Sequence, residues 1–386
     1  MTNVVIIEAQ IKKYRAPFYA LLDEALCGEG IRLTVAYSDP PAAEAGKNDT
    51  CELPPPYGLK VSGYWLVRDR LLYQPLFGPA LNSDLVIVDQ GNRFLLNHIL
   101  LPLSRLGLRR VAFWGHGRSP QSGAILQWYK RKTLNWATWW FAYTRGTARY
   151  LESEGVPGPK ITAVQNSVDT RKLREQVRNC QNREAIRSRL GIPPQAPIGI
   201  FCGMLEKVKN VPFLVASSKM IKERVPNFHL LIVGGGPEQN AIAELVQGLP
   251  WIHMVGPRFG NEKAEFMAIS DASMLPGAVG LAILDAFAAG LPLLTTRLKI
   301  HGPEIEYLEE DVNGLMTEPD PQAYAETVYP LVLQQDRLNQ LKAGAQASAA
   351  KYSIENMVAN FQTGIKSCLG LSSSRAEVPG RSALRI

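Results

Sequence analysis

The sequence has few cysteines, and none of them is spaced to hold a metal ion or a disulfide framework. Five occur among 386 residues, and no two form a CxxC pair. They are Cys27, Cys51, Cys180, Cys202 and Cys368. An odd, scattered set excludes a cysteine zinc site and indicates a reducing, cytoplasmic compartment.

The sequence also lacks an uninterrupted apolar run long enough to cross a bilayer. Its longest weakly charged stretch is 274–296, which has one charge, Asp285. Helix-breaking residues interrupt it at Pro276, Gly277, Gly280, Gly290 and Pro292. This pattern favours a buried strand–loop–helix–strand over a membrane helix. The N-terminal MTNVVIIEAQ has no basic segment, so we interpret it as a first strand and not as a signal peptide.

Acidic residues are absent from a long part of the first half. Residues 90–151 contain ten Lys or Arg and no Asp or Glu. Residues 1–175 hold 22 basic and 15 acidic residues, whereas residues 176–370 hold 17 and 19. The net charge of +7 is therefore a property of the front of the chain. This asymmetry predicts that the first half binds an anionic partner.

Short apolar runs alternate with helical patterns, which favours an α/β fold with parallel sheets. In the first half we predict strands at 4–9, 31–38, 84–89, 110–115, 139–144 and 161–166. In the second half we predict strands at 197–203, 228–236, 252–256, 272–277 and 292–296. The two sets predict two Rossmann-like, doubly wound domains that face each other across a cleft.

The polar helical stretch 170–190 sets the predicted boundary between the domains. We predict an acceptor-binding domain at 1–175, a donor-binding domain at 176–350, a C-terminal helix at 351–370 that packs back toward the first domain, and a flexible tail at 371–386. The tail is rich in Ser, Pro and Arg, which is typical of a mobile terminus.

The strongest motif is LPGAVGLAILDAFAAGLPLLTT, residues 275–296. It predicts a strand end, a turn of small residues and a helix over 280–289. Small residues at a helix start let a phosphate approach the free N–H groups and the positive end of the helix dipole. Asp285 lies farther into the helix, within reach of a ribose. The alternatives are a plain strand-to-helix turn and a surface aspartate.

Two lysines follow an earlier strand in FCGMLEKVKNVPFL. The strand ends at Gly203, and Lys207 and Lys209 come next in the loop. Lysines in this position can neutralise a diphosphate leaving group. Arg258, after another predicted strand, is positioned to hold a nucleobase. For all three basic residues the alternative is an ordinary loop charge.

In this order the motifs resemble those of retaining glycosyltransferase family 4, glycosyl transferases group 1, which has the GT-B fold. The resemblance covers roughly residues 1–365. The matching pieces are GxLxxxK from Gly203 to Lys209, VGxGP at 233–237, VG at 255–256, GLxxxxAxAxGxP from Gly280, NSVDT at 166–170 and WGHG at 114–117.

The resemblance implies a metal-independent, retaining, hexosyltransferase-type enzyme that needs no cofactor. The donor is a nucleotide-sugar, with UDP favoured, and the acceptor is a glycan or a lipid-linked sugar. Catalytic roles are implied for His116, Lys209 and Asp285; a structural turn residue is the alternative for His116. Donor binding is implied for Gly203, Lys207, Lys209, Arg258, Gly277, Ala278, Val279, Gly280, Leu281 and Asp285. No D-x-D pair occurs in the sequence, which is typical of metal-independent chemistry.

The sequence departs from the family at two positions. The family has two glutamates eight residues apart, and Gly277 and Asp285 stand there. Met204 replaces an arginine that precedes the phosphate lysine. Two other functions therefore stay open, a nucleotide-sugar-binding subunit without transfer activity and a nucleotide-sugar epimerase.

Basic residues of the first half stand beside apolar and aromatic ones. The candidate acceptor or membrane residues are Lys12, Lys13, Arg15, Arg109, Arg110, Trp128, Lys130, Arg131, Lys132 and Trp136. Trp with Lys and Arg is typical of a surface on anionic membrane. We predict a peripheral protein on the inner membrane face that acts in polysaccharide biosynthesis; core packing of the tryptophans is the alternative. No base-reading module is visible, so no nucleic-acid partner is predicted.

Overall fold

The structure, a computed structural model, describes residues 1–45, 49–117, 128 and 131–371. They divide into two units. The first contains Met1–Ala142, Ala148–Val164 and the residues from Val358 onward, and the second contains Tyr143–Thr147 and Gln165–Met357. The predicted tail, 372–386, lies outside the described residues.

The chain enters the second unit at Gln165, ahead of the boundary predicted at 175. The NSVDT segment is the reason, because its first residues bond within the second unit. The main-chain oxygen of Asn166 accepts a hydrogen bond from Tyr307 Oη at 3.0 Å, and Ser167 Oγ donates to the carbonyl of Tyr352 at 2.6 Å.

The first unit contains a seven-stranded parallel sheet in the order β3-β2-β1-β6-β7-β8-β9. Its strands are β1 Thr2–Ile7, β2 Ile31–Tyr37, β3 Gly58–Lys60, β6 Leu85–Asp89, β7 Val111–Gly115, β8 Trp139–Ala142 and β9 Ile161–Ala163. A separate antiparallel hairpin consists of β4 Tyr64–Leu66 and β5 Leu71–Tyr73. The sequence patterns did not predict β3 or the hairpin.

The second unit contains a six-stranded parallel sheet in the order β12-β11-β10-β13-β14-β15. Its strands are β10 Ile198–Cys202, β11 His229–Val233, β12 Ile252–Gly256, β13 Ala272–Met274, β14 Leu293–Thr296 and β15 Gly314–Thr317. The first five lie where the sequence predicted strands, and β15 was missed.

Helices connect the strands of both sheets. They are α1 Ala16–Cys27, α2 Ala42–Ala45, α3 Phe77–Leu81, α4 Asn97–Arg105, α5 Arg145–Ser153, α6 Arg171–Arg178, α7 Arg183–Arg189, α8 Val211–Arg224, α9 Gln239–Leu245, α10 Gly260–Ala268, α11 Ala282–Ala288, α12 Pro321–Leu333, α13 Gln335–Lys351 and α14 Ile354–Leu369. Local signals set several ends: Asp320 accepts a hydrogen bond from the Ala323 N–H at 2.8 Å and caps α12, while Pro321 occupies its first turn.

Alternate residues of the central strands face two different cores, which makes the second sheet doubly wound. Leu230 and Ile232 of β11 pack in one core with residues of α8, α12 and α13. Leu231 and Val233 pack in the other with residues of α6, α7 and α10. A parallel sheet that is covered on both faces requires such continuous apolar strands.

The last helix contributes to the core of the first unit from Val358 onward. Phe361 stacks on Phe141 with ring centroids 4.6 Å apart and meets Trp114 edge-on at 4.9 Å. Gln362 Nε2 donates a hydrogen bond to the carbonyl of Ala25 at 3.0 Å. Over the described ranges, no helix is both long and apolar enough to cross a bilayer.

Candidate functional site

The candidate donor site lies at the point of the second sheet where the strand order reverses. The chain runs from β10 outward through β11 to β12 and then returns to the other side of β10 to form β13. Loops leave β10 and β13 in opposite directions, and ligands of open α/β sheets bind in the crevice between such loops. The loops here are 203–210 and 275–281, which carry most of the predicted donor-binding residues.

The two loops meet at the level of the main chain. The Ala278 N–H donates to the Val208 carbonyl at 2.8 Å. A Cβ atom on buried Gly277 would lie 2.3 Å from the carbonyl carbon and oxygen of Lys209. Only glycine allows this approach, so the family's first glutamate is excluded at position 277 by the packing of the neighbouring turn.

Lys209 bridges the loops. Its Nζ donates a hydrogen bond to the Ala278 carbonyl at 2.7 Å, and the side chain is half-buried. Burial lowers the pKa of Lys209, while the nearby Glu206 opposes that shift. An ammonium group has three donors, so the same group can also bind a ligand oxygen. Lys207, on the same turn, is exposed.

Gly203 lies where β10 ends, and its N–H donates to the Val233 carbonyl at 3.0 Å. The glycine run that follows β11 packs against it, since a Cβ on Gly234 would lie 1.8 Å from the Gly203 carbonyl oxygen. The run therefore serves this close main-chain contact. The contact holds the end of β10 against the end of β11.

Val279 corrects one expectation about the loop. Its N–H donates to His301 Nδ1 at 3.0 Å, so it is not one of the free N–H groups expected at this turn. His301 Nε2 lies 2.7 Å from the Thr296 carbonyl, so the ring proton resides on Nε2 and Nδ1 accepts. Burial lowers the pKa of His301, which keeps the ring neutral. The sequence interpretation left His301 without a role, because nothing in its spacing signals a partner 22 residues away.

The helix after this loop begins later than predicted. α11 comprises Ala282–Ala288, so Gly280 and Leu281 belong to the preceding turn, where both are partly accessible. Nothing lies within 4 Å of a Cβ built on Gly280. The open side of the loop is therefore at 280–281, and not at the fully packed Gly277.

Asp285 faces a lysine that the sequence interpretation missed. Lys263 Nζ of α10 lies 2.7 Å from Asp285 Oδ2. Burial alone would lower the pKa of Lys263, but the charge of Asp285 and the hydrogen bond to it raise the pKa overall. Burial raises the pKa of the Cys202 thiol to about 11, so this cysteine stays protonated. Lys263 fixes one carboxylate oxygen and leaves Oδ1 for another donor.

Arg258 stands apart from this arrangement. Its side chain is exposed and forms an ion pair with Glu262 one turn along, with 3.6 Å between Nη1 and Oε2. Exposed pairs of this kind contribute little energy. The residue is available to a ligand, and no contact in the structure orients it toward the two loops.

The first unit presents its own loops at the carboxyl edge of its sheet. His116 directly follows β7 and is exposed. Gly117 has φ +71°, and a Cβ atom built on it would lie 3.2 Å from the side chains of Tyr150 and Leu151. The WGHG turn therefore bends sharply after the histidine.

The basic cluster predicted after β1 does not form an open cationic surface. Lys12 Nζ pairs with Glu44 at 3.1 Å and with Asp49 at 3.0 Å. Arg15 is only 8% exposed, and its guanidinium lies 4.9 Å from the centre of the Trp114 ring. Of the three residues, only Lys13 is exposed. The prediction of a shared anionic contact is wrong for Arg15, because its charge is directed inward onto an aromatic ring.

A second predicted region is open. Residues 105–110, from the last residue of α4 to the residue before β7, are all exposed. They include Arg109 and Arg110 together with Leu106 at 70% and Leu108 at 62% exposure. Two leucines that protrude beside arginines form an apolar and basic surface, which we call the 105–110 surface.

The tryptophan segment is only partly described. Trp128 is 61% exposed and Lys132 is exposed, whereas Lys130 lies outside the described residues. Arg131 forms an ion pair with Glu154 at 2.6 Å. Trp136 is half-buried, with the Arg105 guanidinium 5.5 Å from its ring centre. Trp136 is therefore packed within the protein, whereas Trp128 lies on the surface.

Comparison with known proteins finds similarity to glycosyltransferases in the second half of the chain. Residues 196–334 match the profile of the family "Glycosyl transferases group 1". D-inositol 3-phosphate glycosyltransferase from Corynebacterium urealyticum is 29% identical over 187 residues, which cover 45% of this chain and 43% of that protein. N-acetyl-alpha-D-glucosaminyl L-malate synthase from Bacillus anthracis is 26% identical over 215 residues, 54% of each chain. The match spans about half the length of these relatives.

Solved structures match over nearly the whole chain. A glycosyltransferase from Rickettsia africae superposes with a TM-score of 0.68 at 16% identity and covers 96% of this chain and 99% of its own. Anabaena Alr3699/HepE in complex with UDP superposes with a TM-score of 0.67 at 17% identity and covers 95% and 100%. The chain therefore has the GT-B fold, and its residues 196–334 match the model of the family "Glycosyl transferases group 1".

Proposed function

We propose that the protein is a retaining, metal-independent glycosyltransferase that moves a sugar from a UDP-sugar to a glycan or lipid-linked acceptor. The observation that carries this proposal is the junction of loops 203–210 and 275–281. It lies at the strand reversal of the second sheet, inside the segment that matches the family, and holds Lys209 between the loops.

The likeness to HepE, which has been crystallised with UDP and with UDP-glucose, supports UDP as the nucleotide of the donor. In this chain Lys207 and Lys209 supply positive charge for a diphosphate. Asp285, held by Lys263 through Oδ2, can accept a ribose hydroxyl through Oδ1. Sequence departures from the family leave these groups in place.

The transfer proceeds on one face of the donor sugar. The acceptor hydroxyl attacks the anomeric carbon as the bond to the diphosphate oxygen breaks, and its proton passes to that leaving oxygen. Lys209 and Lys207 stabilise the negative charge that develops on the diphosphate. No protein nucleophile is needed, and His116 contacts the transferred sugar.

Removing Lys209 tests the donor site. A preorganised donor to a developing charge contributes roughly 3–4 kcal/mol to the barrier, so Lys209→Ala should slow single-turnover UDP-glucose cleavage at least about 100-fold. Lys219→Ala, on the exposed face of α8, is the matched control and should keep the wild-type rate. A Lys209→Ala rate within threefold of wild type would refute the assignment.

The donor base is tested by thermal shift with UDP-, GDP- and ADP-sugars. A ligand at 100 times its dissociation constant stabilises the folded chain by about 2.7 kcal/mol. We expect the largest shift with UDP-sugars. No shift with any of the three would count against donor binding as a whole.

A nucleotide-sugar-binding subunit is the second candidate, and Gly277 favours it because the family's sugar-binding glutamate is missing. Such a subunit would bind UDP-glucose without cleaving it. An epimerase would instead return an isomerised UDP-sugar. The products of a UDP-glucose incubation therefore separate the three functions.

The 105–110 surface supports a place on an anionic membrane. Leucines beside arginines insert apolar groups at the interface while the charges meet lipid phosphates. We expect flotation with liposomes that contain anionic lipid and none with neutral liposomes. Leu106→Ser with Leu108→Ser should abolish flotation, whereas Leu333→Ser, which removes an exposed leucine of the second unit, should not. Equal flotation of both variants would refute this surface as the contact.

A further inference from the structure

The first sheet has a strand reversal of its own, and two carboxylates stand at it. β1 lies between β2 and β6, so the chain leaves it on one side and returns on the other. The parallel register pairs Ile7 with Val88, which places Glu8 level with Asp89 at the carboxyl ends of their strands. In open α/β sheets this is where ligands bind. Neither residue belongs to the donor site or to the predicted acceptor residues.

Neighbouring groups orient Glu8. Tyr19 Oη donates a hydrogen bond to Oε1 at 2.8 Å. The main-chain N–H of Glu8 donates to Ala36, and Gln74 Nε2 donates to the main-chain oxygen of Glu8, each at 2.9 Å. Oε2 accepts no hydrogen bond from any residue within the described parts of the chain. The carboxylate is therefore held by one oxygen and open at the other.

The charges around Glu8 are mixed. Burial and then Asp89 raise the pKa of Glu8 to about 7, against the Tyr19 hydrogen bond and the positive charges of Arg15 and Arg93. Two arginines beside the carboxylates disfavour a divalent cation. A carboxyl group kept in a desolvating position lowers the stability of the fold as the pH rises, and such groups concentrate at functional sites.

We propose that Glu8 binds a hydroxyl of the acceptor and that Asp89 takes a neighbouring hydroxyl, so that the first unit recognises a neutral sugar ring. This proposal rests on the proposed function and names the acceptor class. Carboxyl oxygens accept hydrogen bonds from hydroxyl groups, and two carboxyl groups side by side match the two hydroxyls of a vicinal diol. Arg15 and Arg93 offset the charge of the two carboxylates, so the site favours a neutral ring over a charged one. The acceptor contact thus lies on these acidic residues and not on Lys12 or Arg15, which are occupied internally.

The test measures sugar binding directly. Wild type, Glu8→Gln and the control Glu24→Gln, an exposed residue of α1, are titrated with methyl α-glucoside, methyl α-mannoside, methyl α-galactoside and methyl α-glucuronide by saturation-transfer NMR. We expect at least one neutral glycoside to bind wild type and Glu24→Gln, at least tenfold weaker binding to Glu8→Gln, and weaker binding of the glucuronide than of the glucoside. Equal binding to Glu8→Gln, no neutral glycoside bound to wild type, or preference for the glucuronide would each overturn the proposal.

Two further measurements separate this inference from folding defects and from the donor site. Glu8→Gln removes a desolvated charge, so its Tm at pH 8 should be at least that of wild type; a lower Tm would mark Glu8 as structural and overturn the proposal. UDP-glucose should bind all three proteins equally. If UDP-glucose binds none of them while the glycoside pattern holds, the proposed function fails and the Glu8 site stands.

Discussion

Gly277→Ala tests the contact between the two donor loops. The added Cβ would lie 2.3 Å from the Lys209 carbonyl group and 2.4 Å from the Val208 oxygen. Those atoms belong to the main chain, so no side chain can swing away. Restoring an ordinary contact of 3.4 Å requires the loops to separate by about 1 Å. That movement breaks the 2.8 Å hydrogen bond from Ala278 to Val208 and the 2.7 Å bond from Lys209 to Ala278.

The expected cost follows from these losses. Overpacking of a tight site costs roughly 1–3 kcal/mol, a main-chain hydrogen bond about 1 kcal/mol, and one to a charged group about 1.5–3 kcal/mol. Because the loops relax in one concerted shift, we expect a local loss of about 3–4 kcal/mol. Since each 1.4 kcal/mol is a factor of ten, the Ala278 amide should exchange its hydrogen at least about 100-fold faster.

Native-state hydrogen exchange followed by mass spectrometry reports this loop separately from the rest of the chain. Gly280→Ala is the matched control, since its Cβ meets nothing within 4 Å. We expect Gly280→Ala to exchange as wild type does and Gly277→Ala to bind UDP-glucose at least about tenfold more weakly. Gly277→Glu, which restores the family's residue, should be worse than Gly277→Ala. Equal exchange in the Gly277→Ala and Gly280→Ala variants would refute the close packing of the loops.

Two histidine predictions follow from the same unit. His301→Ala removes the acceptor of the Val279 N–H and should weaken UDP-glucose binding about 5–30-fold, as measured by calorimetry. His301→Asn keeps an acceptor and should retain most of the affinity. Equal affinities of the two variants would contradict a role of His301 in holding the loop. His229 Nδ1 and His253 Nε2 lie 2.9 Å apart, and burial lowers the pKa of His229 to about 4 and that of His253 in the same direction. Because the folded state disfavours protonation of His229, the free energy of unfolding should be highest above the unfolded pKa of about 6.5. It should fall by about 3 kcal/mol as the pH drops from 6.5 to 4 in urea titrations. His229→Gln should lose most of this dependence, and a flat profile in wild type would contradict the prediction.

Much of the fold could be predicted from local patterns. Strands such as β1 and β11 are continuous apolar runs because a doubly wound sheet buries both of their faces. The three-residue strand β3 and the four-residue strand β15 were missed, since each begins with a glycine and a charged residue ends or follows it. Each pairs at an edge of its sheet, β3 with β2 and β15 with β14.

The sequence predicted the loops of the candidate site but not the residues that hold those loops in place. Glycines and lysines after a strand are local signals, so Gly203, Lys209 and Gly277 could be identified from sequence. Lys263 and His301 could not, because each reaches its partner from another element, 22 residues away along the chain. The late start of α11 also depends on that packing, since His301 holds the Val279 N–H.

The excess of positive charge in the front half is a property of the sequence alone, but its use is decided by the tertiary structure. The acid-free stretch does not determine whether its arginines are free, because their partners come from elsewhere. Arg131 meets Glu154, and Lys12 meets Glu44 and Asp49. At 105–110 the arginines lie on the surface beside exposed leucines. The physical reason is that charge is summed along a chain, whereas pairing and exposure depend on which segments the sheet brings together.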